Sequence, residues 1–152
     1  MQHFITIDQL NAPDFHALLA LAAYLKDRRK RGIPEHCLDG KTLAMIFEKP
    51  SLRTRLSFEV AMNDFGGRGI YIRGDEISLG DREPIPDAAR VLSRYHQGIM
   101  ARVFKHSTIT TLAKWGTVPV VNGLSDDSHP CQALADFQTI AEHCGTIKGL
   151  RV

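Results

Sequence analysis

Two spacings of apolar residues alternate along this chain. Short runs rich in Val, Ile, Leu and Met occupy residues 43–47, 69–72, 98–103 and 118–122. Near-continuous apolar runs of that length predict strands buried on both faces. The longer segments between them follow the helical period. Over 14–31, Phe15, Leu18, Leu19, Ala22 and Leu25 fall on one helix face. Over 53–65, Leu56, Val60 and Phe65 lie near one stripe, and Gly66-Gly67 supplies the stop. Residues 87–95 and 107–114 predict two shorter helices. Residues 130–143 predict a last one, with Pro130 in the first turn, where its missing N–H costs nothing.

This alternation predicts an α/β fold. The expected architecture is a three-layer domain with a four-stranded parallel sheet between helices, about five of them, joined by right-handed crossovers. Residues 73–86 follow neither spacing, and their Gly, Asp and Pro content predicts an exposed loop. After the last helix, Gly149-Leu150-Arg151-Val152 reads as the first residues of another strand. The expected organisation is therefore one domain over residues 1–148 and the start of a second over 149–152.

Composition narrows the class. A chain of 152 residues with 43% apolar residues holds one well-filled core. The net charge of +2 is too mild for a dedicated nucleic-acid binder. Lys and Arg gather over 26–31, which reads as a solvated helix end, with a basic contact patch as the sharper alternative. Cys37, Cys131 and Cys144 stand far apart without metal spacing, as expected of free thiols in a reducing compartment. There is no secretory leader pattern. No apolar stretch approaches the roughly 20 residues of a membrane helix. The expectation is a cytoplasmic protein with no membrane or nucleic-acid partner.

Two segments carry candidate chemistry. Phe47-Glu48-Lys49-Pro50-Ser51-Leu52-Arg53-Thr54-Arg55 joins a strand to a helix. Ligands of open α/β sheets sit outside the carboxyl ends of strands, where a helix start offers free N–H groups and a positive dipole end. Ser51 can cap that helix, Ser51 and Thr54 add hydroxyls, and Arg53 adds a planar fork suited to phosphate. The glycines of a P-loop are missing. A capped helix with two exposed arginines reads equally well from spacing. Arg55 and Glu59 stand four apart, so Arg55 is the better structural residue and Arg53 the better ligand residue.

His129-Pro130-Cys131-Gln132 likewise follows a strand and opens a helix. A His imidazole and a Gln amide can hydrogen-bond a carbonyl oxygen or an NH2 group. Cys131 at a helix start is open to a lowered pKa, which admits Cys–His nucleophilic chemistry as a rival. His129 as a plain helix cap or a structural side chain is the simpler reading. Arg102, among apolar neighbours near a strand end, needs an anionic partner, either a ligand or a buried carboxylate. The histidines show no zinc spacing, so no metal is expected.

With these strings in view, the chain resembles the aspartate/ornithine carbamoyltransferase family. The 47–55 segment is similar to the family's phosphate motif, and 129–132 to its H-P-x-Q motif. Residues 43–49, 88–95 and 122–127 look like the ornithine branch. The resemblance covers nearly the whole chain. It implies that Ser51, the Leu52 amide, Arg53 and Thr54 hold the phosphate of carbamoyl phosphate. Arg102 would bridge phosphate and carbonyl oxygen, and His129 and Gln132 would hold the carbamoyl end. Arg102, His129 and Thr54 would stabilise charge on the carbonyl oxygen as an amine attacks, with no covalent intermediate, no metal and no organic cofactor. The resemblance also implies a homotrimer or an assembly of trimers, with Ser78 and its loop reaching a neighbour's site.

There are departures. Leu52 replaces a usual Thr, Ser78 stands where the ornithine branch often has Gln, and Asp81 and Arg82 differ as well. Family chains are about twice this long, and their second half binds the acceptor. The implied activity is transfer to ornithine within arginine metabolism, with these 152 residues inactive alone. Three rivals stay open: a non-catalytic phosphate-ligand binding module, half of an acetylornithine- or aspartate-type enzyme, and a structural interaction protein.

Overall fold

The computed structural model describes residues 3–147 and Gly149. The strands are β1 (Thr42–Phe47), β2 (Arg68–Arg73), β3 (Gly98–Arg102) and β4 (Val120–Leu124). They form one parallel sheet in the order β2-β1-β3-β4. The helices are α1 (Ala12–Lys30), α2 (Leu52–Asp64), α3 (Gly74–Ile77), α4 (Ile85–Tyr95), α5 (His106–Trp115) and α6 (Pro130–Cys144), after a 3-10 turn at Ile7–Gln9. Among the described residues no helix is long and apolar enough to cross a membrane.

The expected three-layer α/β architecture is what the chain adopts. The central strands β1 and β3 are the most deeply buried, and their alternating side chains feed two clusters on opposite faces. Ala44, Ile46, Ile99 and Ala101 meet Ala89 of α4 and Ile109 and Leu112 of α5. Met45, Phe47 and Met100 form the other cluster, against Phe58 of α2, Tyr71 and Val121. Burial on both faces explains why these strands read as unbroken apolar runs.

The last strand begins two residues later than expected. Pro119 lacks an N–H and contributes only its carbonyl, which accepts from Ile99 at 2.9 Å. At its other end the register slips between Ala101 and Arg102, leaving Gly123 as an extra residue in β4. A Cβ at Gly123 would fall 2.5 Å from the Met100 sulfur and 3.3 Å from the Ala101 carbonyl oxygen. A side chain at the bulge would have to displace the buried Met100 thioether, and the bulge lies beside the strand end that presents Arg102.

Three other expectations are corrected. Residues 73–86 are not a free loop. They hold α3, an isolated bridge between Leu79 and Glu83, and the first turn of α4. Ile77, Leu79 and Ile85 anchor them on the α4/α5 side of the core. Those three anchors follow no regular period, which hid them from pattern reading. The stripe on α2 does not face the core: Leu56 is 48% exposed and Val60 38%, while Phe58 and Met62 turn inward. Leu18 of α1 is exposed as well. At the C-terminus Gly149 lies in a turn with φ of 84° rather than in a strand. The rest of the expected strand, Leu150 to Val152, and the boundary residue Lys148 lie outside the described residues.

Candidate anion-binding site

The sheet order places a topological switch point between β1 and β3. The chain steps from β1 outward to β2, then returns to the opposite side of β1 for β3. Loops leaving the carboxyl ends of β1 and β3 diverge there and open a crevice. Ser51 to Thr54 follow β1, Arg102 ends β3, and His129 follows β4 beside it. All are on the same edge of one sheet.

The first corner is set by local chemistry. Ser51 is the N-cap of α2, and its Oγ accepts from the Thr54 N–H at 3.3 Å. The two hydroxyls also meet, at 3.0 Å. Thr54 is linked to β3, because Arg102 Nη1 donates to its Oγ1 at 3.3 Å. The Arg53 side chain is exposed and makes no hydrogen bond or ion pair with any described residue. Arg55 differs. It pairs with Glu59 at 2.9 Å and stacks over the Tyr71 ring at 4.1 Å. The structural role expected of Arg55 is the one observed.

The second corner is held by distant partners. Asn122 is fully buried, and its Nδ2 lies 2.9 Å from Ile5 O, 3.1 Å from Ser125 Oγ and 3.2 Å from Ser128 O. Ser125 also meets His106 Nδ1 at 2.8 Å. This network shapes the turn that delivers His129. His129 occupies the N-cap position of α6, yet its side chain makes no capping bond. The plain-cap reading therefore fails. Burial first, and then the Arg102 charge, lower the His129 pKa, so the imidazole is neutral near pH 7.

Arg102 Nε and His129 Nδ1 are both buried and have no hydrogen-bond partner among the described residues. Unpaired buried donors and acceptors are uncommon, because each costs roughly 1–3 kcal/mol. Arg102 and His129, both expected to meet a ligand, each carry one such atom, and Asn122 Oδ1 is another among the described residues. No carboxylate hydrogen-bonds or ion-pairs with Arg102, so the buried-partner alternative for it fails among the described residues.

Residues 2–142 match the family model described as the aspartate/ornithine carbamoyltransferase, carbamoyl-P binding domain. The chain belongs to the aspartate/ornithine carbamoyltransferase family. It corresponds to the family's carbamoyl-phosphate-binding domain. It is 51% identical over 148 residues to an ornithine carbamoyltransferase of Thermococcus kodakarensis, covering 97% of this chain and 47% of that protein. A solved ornithine carbamoyltransferase from Pyrococcus furiosus superposes with a TM-score of 0.96 at 52% identity, over 98% of this chain and 48% of that one. The catalytic subunit of an aspartate transcarbamoylase from M. jannaschii superposes at 0.91 with 32% identity, over 99% and 50%. The chain thus spans about half the length of the relatives it matches.

Within this family frame, some expected residues stand apart. Gln132 is exposed, and its amide donates to Asp136 one turn along α6, at 2.8 Å, rather than meeting His129. Ser78 caps α3 in a left-handed conformation, φ 43°, and lines a separate cavity of about 620 Å³ with Glu48, Gly80 and Phe104. The Leu52 side chain is 72% exposed. Cys131 contradicts its expectation: burial raises its pKa to about 11, outweighing the helix start. That removes the nucleophilic-cysteine rival. Sequence reading missed Lys49 and Asp126, which form an ion pair between the two corners. Nothing in one sequence pairs charges 77 positions apart.

Proposed function

We propose that this chain binds carbamoyl phosphate for transfer of the carbamoyl group to ornithine, giving citrulline and phosphate. The observation that carries the reading is the pair of unpartnered buried atoms, Arg102 Nε and His129 Nδ1, beside the capped start of α2. Closer identity to the ornithine carbamoyltransferases than to the aspartate enzyme supports ornithine as acceptor.

Ser51, the Leu52 amide, Arg53 and Thr54 hold the phosphate, aided by the α2 dipole. Arg102 spans phosphate and carbonyl oxygen. His129, neutral, holds the carbamoyl end, with Gln132 turning from Asp136 to join it. The acceptor amine attacks the carbamoyl carbon. A C–N bond forms, the C–O bond to phosphate breaks, and phosphate leaves with that electron pair. The surplus amine proton passes to phosphate or solvent. Arg102, His129 and Thr54 stabilise the charge growing on the carbonyl oxygen. Rate comes from positioning and electrostatics.

The acceptor site is proposed to lie in the half of the relatives that these 152 residues do not match. The same reading makes the working enzyme a cytoplasmic homotrimer in which the Ser78 loop serves a neighbouring subunit. Thermal unfolding with and without carbamoyl phosphate tests the binding. Ligand at 100 times its Kd adds about 2.7 kcal/mol of stability. Arg53→Ala is expected to abolish that shift while leaving the unliganded Tm unchanged. An undiminished shift in Arg53→Ala, or none in the wild type, overturns the reading. These residues alone are expected to form no citrulline from ornithine in a colorimetric assay.

A further inference from the structure

The site's two corners are tied together beyond the ends of the strands. Sheet pairing ends at Phe47, Arg102 and Leu124. Past that edge, five contacts run crosswise between three loops. The Glu48 N–H donates to the Arg102 carbonyl at 2.9 Å, and Glu48 Oε2 accepts from the Phe104 N–H at 2.8 Å. The Asp126 N–H donates to the Phe104 carbonyl at 2.9 Å. Lys49 Nζ closes the circuit by pairing with Asp126 Oδ1 while lying 4.6 Å from the centre of the Phe104 ring.

Position gives this circuit its meaning. Lys49 stands two residues before Ser51, and Asp126 three residues before His129. The tie therefore joins the loop that starts the phosphate cradle to the loop that delivers the imidazole. The Lys49 side chain is only 22% exposed, whereas Asp126 is 59% exposed. Ion pairs that reach solvent add little to stability. A fixed span between the corners is a different matter, because a ligand held at both ends is sensitive to small misplacements.

We infer that Lys49 and Asp126 are positioning residues: their ion pair, seated on Phe104, sets the distance between the phosphate corner and the carbamoyl corner. The inference rests on the proposed reading of the site and adds to it how the two ends are kept in register. It distinguishes ligands by length. Inorganic phosphate touches only the first corner. Phosphonoacetamide, in which a methylene replaces the bridging oxygen of carbamoyl phosphate, needs both.

The test is calorimetric titration of both ligands into the wild-type chain, Lys49→Met and Asp126→Asn. The quantity read is each protein's preference for phosphonoacetamide over phosphate. Lys49→Met removes a positive charge and Asp126→Asn a negative one, so a general charge effect shifts their phosphate affinities in opposite directions. The tie instead predicts that the preference falls in both variants, by about fivefold or more. The double variant is expected to lose no more than either single one, since the tie is already open. Asp126→Asn, at an exposed side chain, guards against a folding artefact. An unchanged preference in both variants, with the wild type still favouring phosphonoacetamide, overturns the tie alone. A wild-type chain that binds neither ligand overturns the site reading and the tie with it.

Discussion

The helix start after β1 is capped from within four consecutive residues, Ser51 to Thr54, with Arg102 of β3 as the outside partner of Thr54, whereas the corner after β4 takes its shape from three other segments of the chain. In the first, one side chain caps the helix that it begins, and the cap is written in the sequence. In the second, Ile5 near the N-terminus, His106 in α5 and Lys49 after β1 all hold the turn before His129. The contrast teaches that two motifs of equal length differ in how much of the fold they need. A short-range cap survives small shifts of the sheet. A turn held from three sides moves when any holder moves.

This contrast can be broken most sharply at Asn122. Replacing it with Ala leaves the Ile5 and Ser128 carbonyls without their amide partner in a buried setting. The expected loss is about 2–4 kcal/mol in urea unfolding. A loss below about 1 kcal/mol, the scale of one ordinary hydrogen bond, would show that the second corner does not depend on its distant partners. At the first corner, Ser51→Ala is expected to cost about 1 kcal/mol, and Ser51→Gly only a few tenths. Equal losses at Asn122 and Ser51 would erase the distinction.

Smaller effects sharpen the same comparison. The His129 pKa lies below its ordinary value because of burial and then Arg102. As pH falls below about 6.5, the unfolded chain takes up the proton first. Stability that is whole above that pH therefore declines toward the lower folded pKa. His96, lowered by burial, adds to the same slope. His129→Gln is expected to flatten part of the acid slope in pH-dependent unfolding, and an unchanged slope would place the imidazole in solvent. The smallest expected effect is at Cys131. With its pKa raised to about 11, the thiol stays protonated at pH 8. Iodoacetamide should label the exposed Cys37 and Cys144 and leave Cys131 untouched in peptide mass mapping.

Much of the fold and half of the site are legible in the amino-acid sequence. The four apolar runs correspond to four strands; β1 and β3 are buried on both faces and need no alternation to be seen, whereas β2, expected to be buried, is an edge strand with Ile70 41% exposed. The Ser51 cap and Pro130 in the first turn of α6 mark helix starts through backbone chemistry that acts over three or four residues. The pairing of Arg55 follows from its i, i+4 spacing to Glu59. Other features are illegible for a physical reason. Leu56 and Val60 have the right period, yet period says only that residues share a face, not what lies opposite that face.

The four strands, five of the six α-helices and the chemical types gathered at the β1 and β4 ends are legible in the order of residues, since each depends on neighbours in the chain. Packing set which ends adjoin, that the 73–86 segment is anchored, that the Cys131 thiol is half-buried, and that Lys49 reaches Asp126. Those outcomes depend on burial and on charges brought together from far apart in the chain. Such proximity is a property of the packed fold and leaves no periodic trace in the order of residues.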